Sequence, residues 1–413
     1  MTSVGIPSVW RNADFRLVWT GQALSELGNG VSQLAYPLLM LTLTGSPTAT
    51  GLLLAVRALP YLLFGLFAGA LVDRWDRRRT MIVCDLGRMV NMATIPAALL
   101  LWRLTPAHLI VTGFVGGVFY VFFNAAEGAC LPNVVRREQL TAAVSAQKTA
   151  QSAVGVVSGA IGGALLQISR GLPFLVDAVS FLGSAICIVL VRRPFRRPDD
   201  QPRSRTTLRQ DVAEGVRWVV RQPVLRVIVV VVALLQVAIS AVALVVIVVA
   251  RDAGASSATI GLMYSALGVG GVIGALLAPR LKRHLGLGRL LLSVLWLQGA
   301  LWTVLAFAGN LLIIGAAFGL FAMTLPCIGV AALSYQLETT PDHLLGRVGT
   351  TLNLVVWATT PVGGALAGML LNAAAPRTVS IVFAAWVLVL SLGATFGSGL
   401  RAVGRPTGVE TSR

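Results

Sequence analysis

The sequence predicts an all-α polytopic membrane protein, with twelve transmembrane helices in two pseudo-symmetric six-helix bundles. Three observations carry that reading: a composition too apolar for water, twelve apolar runs of spanning length, and short motifs that recur once in each half. Hydrophobic residues make up 56% of the 413, and charged residues only 12%. A soluble domain carries about 25% charged residues. Glycine, at 43 residues, suits closely packed membrane helices and is a liability in soluble ones.

A spanning helix needs about 20 largely apolar residues. The segments that qualify are 15–41, 51–72, 80–101, 106–127, 142–168, 171–191, 224–250, 257–279, 288–308, 311–335, 346–371 and 377–400. No small-residue cleavage site follows the first run, which therefore reads as a membrane helix and not a signal peptide. Loops are short except at 192–223, where RRPFRRPDDQPRSR leads into a helical-looking segment, Leu208 to Arg221. There Val212, Val216, Val219 and Val220 recur at helical spacing, as in an amphipathic helix lying on the membrane. The expected organisation is 1–191 as an N-terminal six-helix bundle, 192–223 as a cytoplasmic linker with an interfacial helix, and 224–413 as a C-terminal six-helix bundle.

A net charge of +17 in a soluble chain would point to nucleic acid. Here the arginines cluster between apolar runs, and no aromatic residues interleave with them as stacking requires. They read instead as loop charges that set orientation. Of the 33 Lys and Arg residues, all but Arg57, Arg103, Arg170, Arg251 and Arg377 fall on the side of the two termini. Both termini are therefore expected in the cytoplasm, with the chain in the plasma (inner) membrane. Cys84, Cys130, Cys187 and Cys327 stand singly in or beside apolar runs and indicate neither a disulfide framework nor a metal site.

The two halves echo one another. GALVDRWDRRR (69–79) and GALLAPRLKRH (274–284) stand 205 residues apart, each at the cytoplasmic end of the second span of its half. GGALL (162–166) and GGALA (363–367) stand 201 apart, each in the fifth span of its half. A 6 + 6 arrangement with a charged central linker is how parallel-repeat transporters are built, with the substrate site between the halves at mid-membrane.

These residues resemble the major facilitator superfamily. Its loop signature after the second helix, Gly-x-Leu-x-Asp-Arg-x-Gly-Arg-Arg/Lys, is matched by Gly69, Leu71, Asp73, Arg74, Arg77 and Arg78, with Asp76 where glycine is usual. The fifth-helix antiporter signature, G-x-x-x-G-P-x-x-G-G, is matched by Gly155, Gly159, Gly162 and Gly163, with Ala160 where proline is usual. The fourth-helix arginine of many drug exporters has no match. FRLVWTGQALSELGNGVSQLAYPLLMLTLTGSP, DRWDRRR, FLVDAVSF and EGVRWVVRQPVLR are similar to the bacterial drug and natural-product exporter branch, which includes macrolide-efflux and enterobactin-exporter-like proteins. The resemblance implies the fold, transport and the efflux direction. It also implies that Asp73 belongs to a cytoplasmic latch, with Gly69, Arg74, Arg77 and Arg78 around it.

A proton-coupled exporter needs a titratable group in its cavity, and charge inside a bilayer is costly enough to mark a functional candidate. In the first span Gln22, Glu26, Asn29 and Gln33 are spaced 4, 3 and 4 and share one helix face. A polar stripe faces a water-filled cavity or another polar surface, not lipid. Glu26 lies roughly 16 Å from the cytoplasmic start of its helix at ~1.5 Å per residue, where desolvation favours the neutral acid. It is the expected proton-coupling residue, with Asp177 second. Arg57 lies roughly 9 Å from the outer surface and Glu26 roughly 22 Å, so Arg57 is expected to snorkel outward, with a cavity role as the alternative. Gly155, Gly159 and Gly163 line one helix face and permit close helix approach, which reads as ordinary packing or as a bendable gating contact. In the second half Gln236, Asn353 and Trp357 are the expected lining, uncharged and suited to an amphipathic or aromatic ligand.

No nucleotide-binding P-loop, catalytic constellation or metal cluster is present in the sequence, so no enzyme, cofactor or ATP drive is expected. The expected function is proton-coupled efflux, by antiport, of an amphipathic drug or natural product, carried out by a monomer with a small-molecule substrate, protons and the lipid bilayer as partners. Export of a defined endogenous metabolite such as a siderophore, or lysolipid flipping, is the alternative. A non-transporting membrane sensor is the alternative from another class.

Overall fold

The computed structural model describes residues 8–72, 74–192, 208–341 and 344–396. Among them the only regular elements are helices: α1 (Ala13–Thr44), α2 (Pro47–Val72), α3 (Arg77–Leu100), α4 (Pro106–Val134), α5 (Leu140–Ile168), α6 (Leu172–Leu190), α7 (Leu208–Arg221), α8 (Pro223–Asp252), α9 (Ser257–Phe307), α10 (Leu311–Thr339), α11 (Leu345–Ala373) and α12 (Pro376–Phe396), with two single-turn 3₁₀ segments. Ten of these helices are long and apolar enough to cross a membrane. α1 is long enough, and the polar stripe from Gln22 to Gln33 is what lowers its hydropathy below theirs. α9, at 51 residues, is two spans joined across Gly286, whose φ of 71° and ψ of 170° break the helix. Counting α1 and both parts of α9 gives twelve.

The junction in α9 departs from expectation, because residues 280–285 continue the helix where a loop was expected. The two repeat copies explain it. In the first, Asp76 sits in extended backbone and its carboxylate accepts a hydrogen bond from the Arg79 N–H at 2.8 Å, capping α3. The aligned residue in the second copy is Leu281, which has no acceptor to satisfy a new helix start. The helix therefore runs on until a glycine can turn it.

The chain forms two compact units, one of Met1–Arg205 with Gly254–Gly268 and one of Thr206–Ala253 with Val269–Arg413. In the first, α1 packs on α5 and α6, α3 on α4 and α6, and α2 on α4. Gly28 lets α6 close on α1, since a Cβ there would lie 3.0 Å from the Asp177 Cα. Gly162 does the same for α5, with the Val31 carbonyl oxygen 3.0 Å from its would-be Cβ. In the second unit α8 is the hub, packed on α10, α11 and α12. Gly363 presses on the α8 backbone at Val237, so the repeated Gly-Gly pairs mark equivalent close approaches, α5 to α1 and α11 to α8.

α7 forms as expected but does not merely lie on a membrane surface. Gly215 sits against the Arg347 carbonyl of α11, Val219 is buried with Leu225, Leu344 and Val348, and Glu214 pairs with Arg347 at 2.5 Å. Val216 and Val220 are exposed on another face. Residues 193–207 lie outside the described residues.

Candidate functional site

The first unit holds a narrow cleft between α1, α4 and α5. α1 contributes Trp19, Gln22 and Glu26, α4 contributes Phe123 and Glu127, and α5 contributes Gln147. The polar contacts are ordered around one amide. Gln147 Nε2 donates to Glu127 Oε1 at 2.9 Å and also to Gln22 Oε1. Gln22 is buried, and its own Nε2 has no hydrogen-bond partner. Trp19 is fixed by its indole N–H on the Ala146 carbonyl at 3.2 Å. Two carboxyl groups thus face one half-apolar space, a place where a proton and a polar ligand compete for the same groups.

One turn further along α1 lies a second, more buried cluster. Asn29 does not line the cleft; its Oδ1 accepts a hydrogen bond from Arg88 of α3. Arg88 is 2% exposed and stands 3.7 Å from Asp85, three residues earlier on the same helix and fully buried. Neither Asp85 oxygen makes a hydrogen bond. The guanidinium lies over Phe181 at 3.9 Å, with the Tyr120 and Phe123 centroids at 5.2 and 5.8 Å. Asp177 of α6 is also buried, pressed against Gly28; its Oδ1 accepts from Ser180 at 3.5 Å and its Oδ2 has no hydrogen bond. It lies within electrostatic range of both Arg88 and Arg57.

The remaining expected residues fall in several places. Arg57 does not snorkel outward: its guanidinium sits 4.1 Å over the Tyr36 ring, and its stem lies along α4 at Gly113. The aromatic face offers a half-buried cation what the outer surface otherwise supplies. Gln33 is exposed. In the second unit Gln236 donates to Thr360 at 3.4 Å, Asn353 is exposed and Trp357 is half-buried. Of the latch residues, Asp73 lies outside the described residues. Gly69 is in the last turn of α2, Arg74 in the turn after it, and Arg77 opens α3. Arg78 donates to the Val189 carbonyl at the end of α6, where a cation meets the negative end of a helix.

Gly159 and Gly163 do what their spacing implies. A Cβ on Gly159 would fall 2.7 Å from the Gly261 carbonyl oxygen, and one on Gly163 would fall 2.5 Å from that of Ser257. The Gly155 carbonyl is approached in turn by Gly268. α5 therefore packs backbone to backbone on the start of α9, and Ala160 N–H donates to Ser265 Oγ at 3.0 Å.

Sequence reasoning missed three residues here. Arg88 was counted with the orienting loop charges, yet it lies eleven residues inside α3; the asymmetry survives without it. Asp85, its partner at i−3, went unremarked for the same reason. Glu127 stood at the last residue of its expected span, but α4 continues to Val134 and carries it seven residues inside. The signal for all three was available: ionisable residues within apolar helical pattern.

Among the described residues no group of three or more His, Cys, Asp or Glu side chains is placed to hold a metal. The family model described as transmembrane secretion effector matches residues 7–404. A multidrug efflux pump, Tap, of Mycolicibacterium fortuitum is 27% identical over 391 residues, covering 91% of this chain and 93% of that one. Macrolide efflux protein A of Streptococcus pyogenes is 27% identical over 186 residues, 44% of this chain and 45% of its own. Two solved structures share the fold. A bacterial homologue of the iron transporter ferroportin, inward-facing, matches at TM-score 0.74 and 16% identity, covering 96% of this chain and all of that one. A bacterial homologue of the human lysosomal transporter Spinster matches at 0.75 and 13%, covering 97% and 98%.

Proposed function

We propose that this chain, which belongs to the transmembrane secretion effector family of the major facilitator superfamily, exports an amphipathic drug or natural product in exchange for protons. The coarser statement is not in question: it is a multi-pass membrane transporter of the efflux type and not an enzyme. The exchange with protons rests above all on the cleft in which Glu26 and Glu127 face one space. A carboxyl group that is charged when it binds a polar ligand and neutral when it releases it converts proton binding into substrate release. Trp19 and Phe123 give the same cleft an apolar wall, which suits a ligand with both characters.

In this reading Glu26 carries the exchanged proton, with Asp177 as the reserve site, and the proton gradient is the energy source with no cofactor. Gln22 and Gln147 order the cleft; Gln236, Asn353 and Trp357 belong to the lining contributed by the second half. The α5 glycines and the Gly69–Arg78 loop govern opening. Both termini are cytoplasmic, the monomer is the working unit in the plasma membrane, and the bundles are 1–191 and 224–413 with 192–223 between them.

The test uses a macrolide, erythromycin, chosen because a relative carries macrolide efflux in its name. Glu26→Gln should abolish efflux driven by a pH gradient in everted vesicles while leaving erythromycin binding measurable, because glutamine imitates the neutral acid and cannot release a proton. Binding-induced proton release should vanish with it. Wild-type proton release from the variant would move the coupling site elsewhere, with Asp177 next.

A further inference from the structure

Three side chains from three helices meet in the cleft through one amide group. Gln147 of α5 donates from its Nε2 to Glu127 Oε1 of α4 at 2.9 Å and, from the same nitrogen, to Gln22 Oε1 of α1. An amide nitrogen carries two hydrogens, so both are in use. The direction of the chain is set at its acid end. An ionised carboxylate can only accept, so Gln147 turns its NH2 toward Glu127, and Gln22 must then turn its carbonyl oxygen toward Gln147. The consequence falls at the far end: Gln22, 9% exposed, is left with a buried Nε2 that has no partner. A buried donor without an acceptor is costly. Because Gln22 lines the cleft, it can regain an acceptor from what enters there or from a rearrangement of the chain.

A proton on Glu127 Oε1 reverses the direction. The acid becomes an O–H donor and needs an acceptor. Gln147 supplies one by rotating its terminal amide half a turn, which brings its Oε1 to where its Nε2 stood. That oxygen has two lone pairs, one for the Glu127 O–H and one for Gln22. Gln22 follows by the same rotation and donates from Nε2 to Gln147 Oε1, so no donor is left without an acceptor. The other charged and titratable groups around Glu127 are Glu26 from α1, Tyr61 from α2, Asp85 from α3 and Lys148 from α5, with Tyr120 and Cys130 on α4 itself. Lys148 is exposed and donates to Gln151 at 3.0 Å. The hydrogen bond to the Glu127 carboxylate comes from Gln147.

We infer that Glu127, Gln147 and Gln22 form an amide relay, in which a proton bound on α4 is read on α1 as the loss of a hydrogen-bond donor. With Glu127 ionised, Gln22 offers its N–H to a ligand that carries an acceptor oxygen, whether carbonyl, hydroxyl or ether. With Glu127 protonated, Gln22 gives that hydrogen to Gln147 and the ligand loses its donor. Proton and ligand then oppose one another without touching. Gln147 is the positioning residue of the device. The use of the relay in exchange rests on the proton-antiport reading; the relay itself does not.

The experiment needs no transported substrate. The full-length chain is made with carbon-13 at the side-chain carbonyl of its glutamines, and infrared difference spectra are recorded between high and low pH in detergent. The difference selects the amides whose hydrogen bonding changes with pH. Isotope-shifted amide carbonyl bands should appear in the wild type and be lost in Glu127→Ala and in Gln147→Leu. In Gln22→Leu they should weaken but persist, because Gln147 still rotates. Gln298→Leu, in the other unit, should leave them unchanged. Absence of titrating glutamine bands in the wild type overturns the proposal, as do bands that survive intact in Glu127→Ala or Gln147→Leu. Either of those two variants decides if the other does not fold. Failure of the antiport reading would show instead as absent proton release on erythromycin binding, with the glutamine bands intact.

Discussion

In the first unit α3 carries Arg88 into the membrane eleven residues after its start at Arg77; in the second, α9 carries Gln298 eleven residues after its restart at Leu287. The two stand equally far into the third span of their half but differ in chemistry. Arg88 sits with Asp85 and Asp177, all three essentially inaccessible. Gln298 is equally buried, but it donates to Thr324 of α10 at 2.8 Å, and nearby Trp302 stacks on Phe383 at 4.9 Å with Phe321 edge-on. Among the described residues no charged side chain is buried in the second unit. One copy of the repeat has kept a scaffold of neutral pairs and aromatic packing. The other has charges that scaffolding does not need, which is why the proposed proton handling is placed there.

The comparison breaks most sharply at Asp85. Asp85→Ala leaves Arg88 buried without its anion, which typically costs about 3–5 kcal/mol. The apparent unfolding midpoint in detergent should fall accordingly. Asp85→Asn combined with Arg88→Gln imitates the neutral arrangement of the second unit and should recover much of that loss. An Asp85→Ala protein that unfolds at the wild-type midpoint would mean the charges are not balanced against each other.

How much of this was legible beforehand follows from what each feature demands of the chain. Spans are set by about 20 apolar residues and their flanking signals, so their number was legible, although α4 runs to Val134, past its expected end at 127. The junction inside α9 turned on one residue: Leu281 cannot cap a helix where Asp76 can. The stripe on α1 fixed a face but not its partners. Gln22 and Glu26 meet the cleft, Asn29 meets Arg88 and Gln33 is exposed, because three different neighbours, α4, α5 and α3, cross the same face. Arg88 was misplaced because counting charges by side treats every arginine near a loop as solvated, and a span's end is uncertain by a turn. Arg57 was misplaced for a related reason: depth along one helix says nothing about Tyr36 on another.

A smaller effect is expected where the two loop copies differ. Asp76→Ala removes the cap of α3, worth about 1 kcal/mol, and should lower the unfolding midpoint modestly. Leu281→Asp offers the second copy an acceptor, and hydrogen exchange at residues 280–286 should then rise as the continuous helix gains a competitor. Unchanged exchange there would mean that packing, not the missing cap, keeps α9 continuous.

The smallest effect should come from Gln298, as far into the third span of its half as Arg88 is. Gln298 makes one hydrogen bond, to Thr324, and its Oε1 has no partner. Replacing it by leucine loses a side-chain bond of the kind worth about 0.6 kcal/mol between membrane helices. It also removes a buried acceptor that was never satisfied, and the two nearly cancel. Thr324 keeps a partner, since its hydroxyl donates to the Phe321 carbonyl at 2.7 Å. Gln298→Leu should therefore unfold within about 1 kcal/mol of wild type and export erythromycin at the wild-type rate, where Arg88→Gln should do neither. A Gln298→Leu protein that folds but fails to transport would place a working polar group in the second unit and end the assignment of proton handling to the first alone.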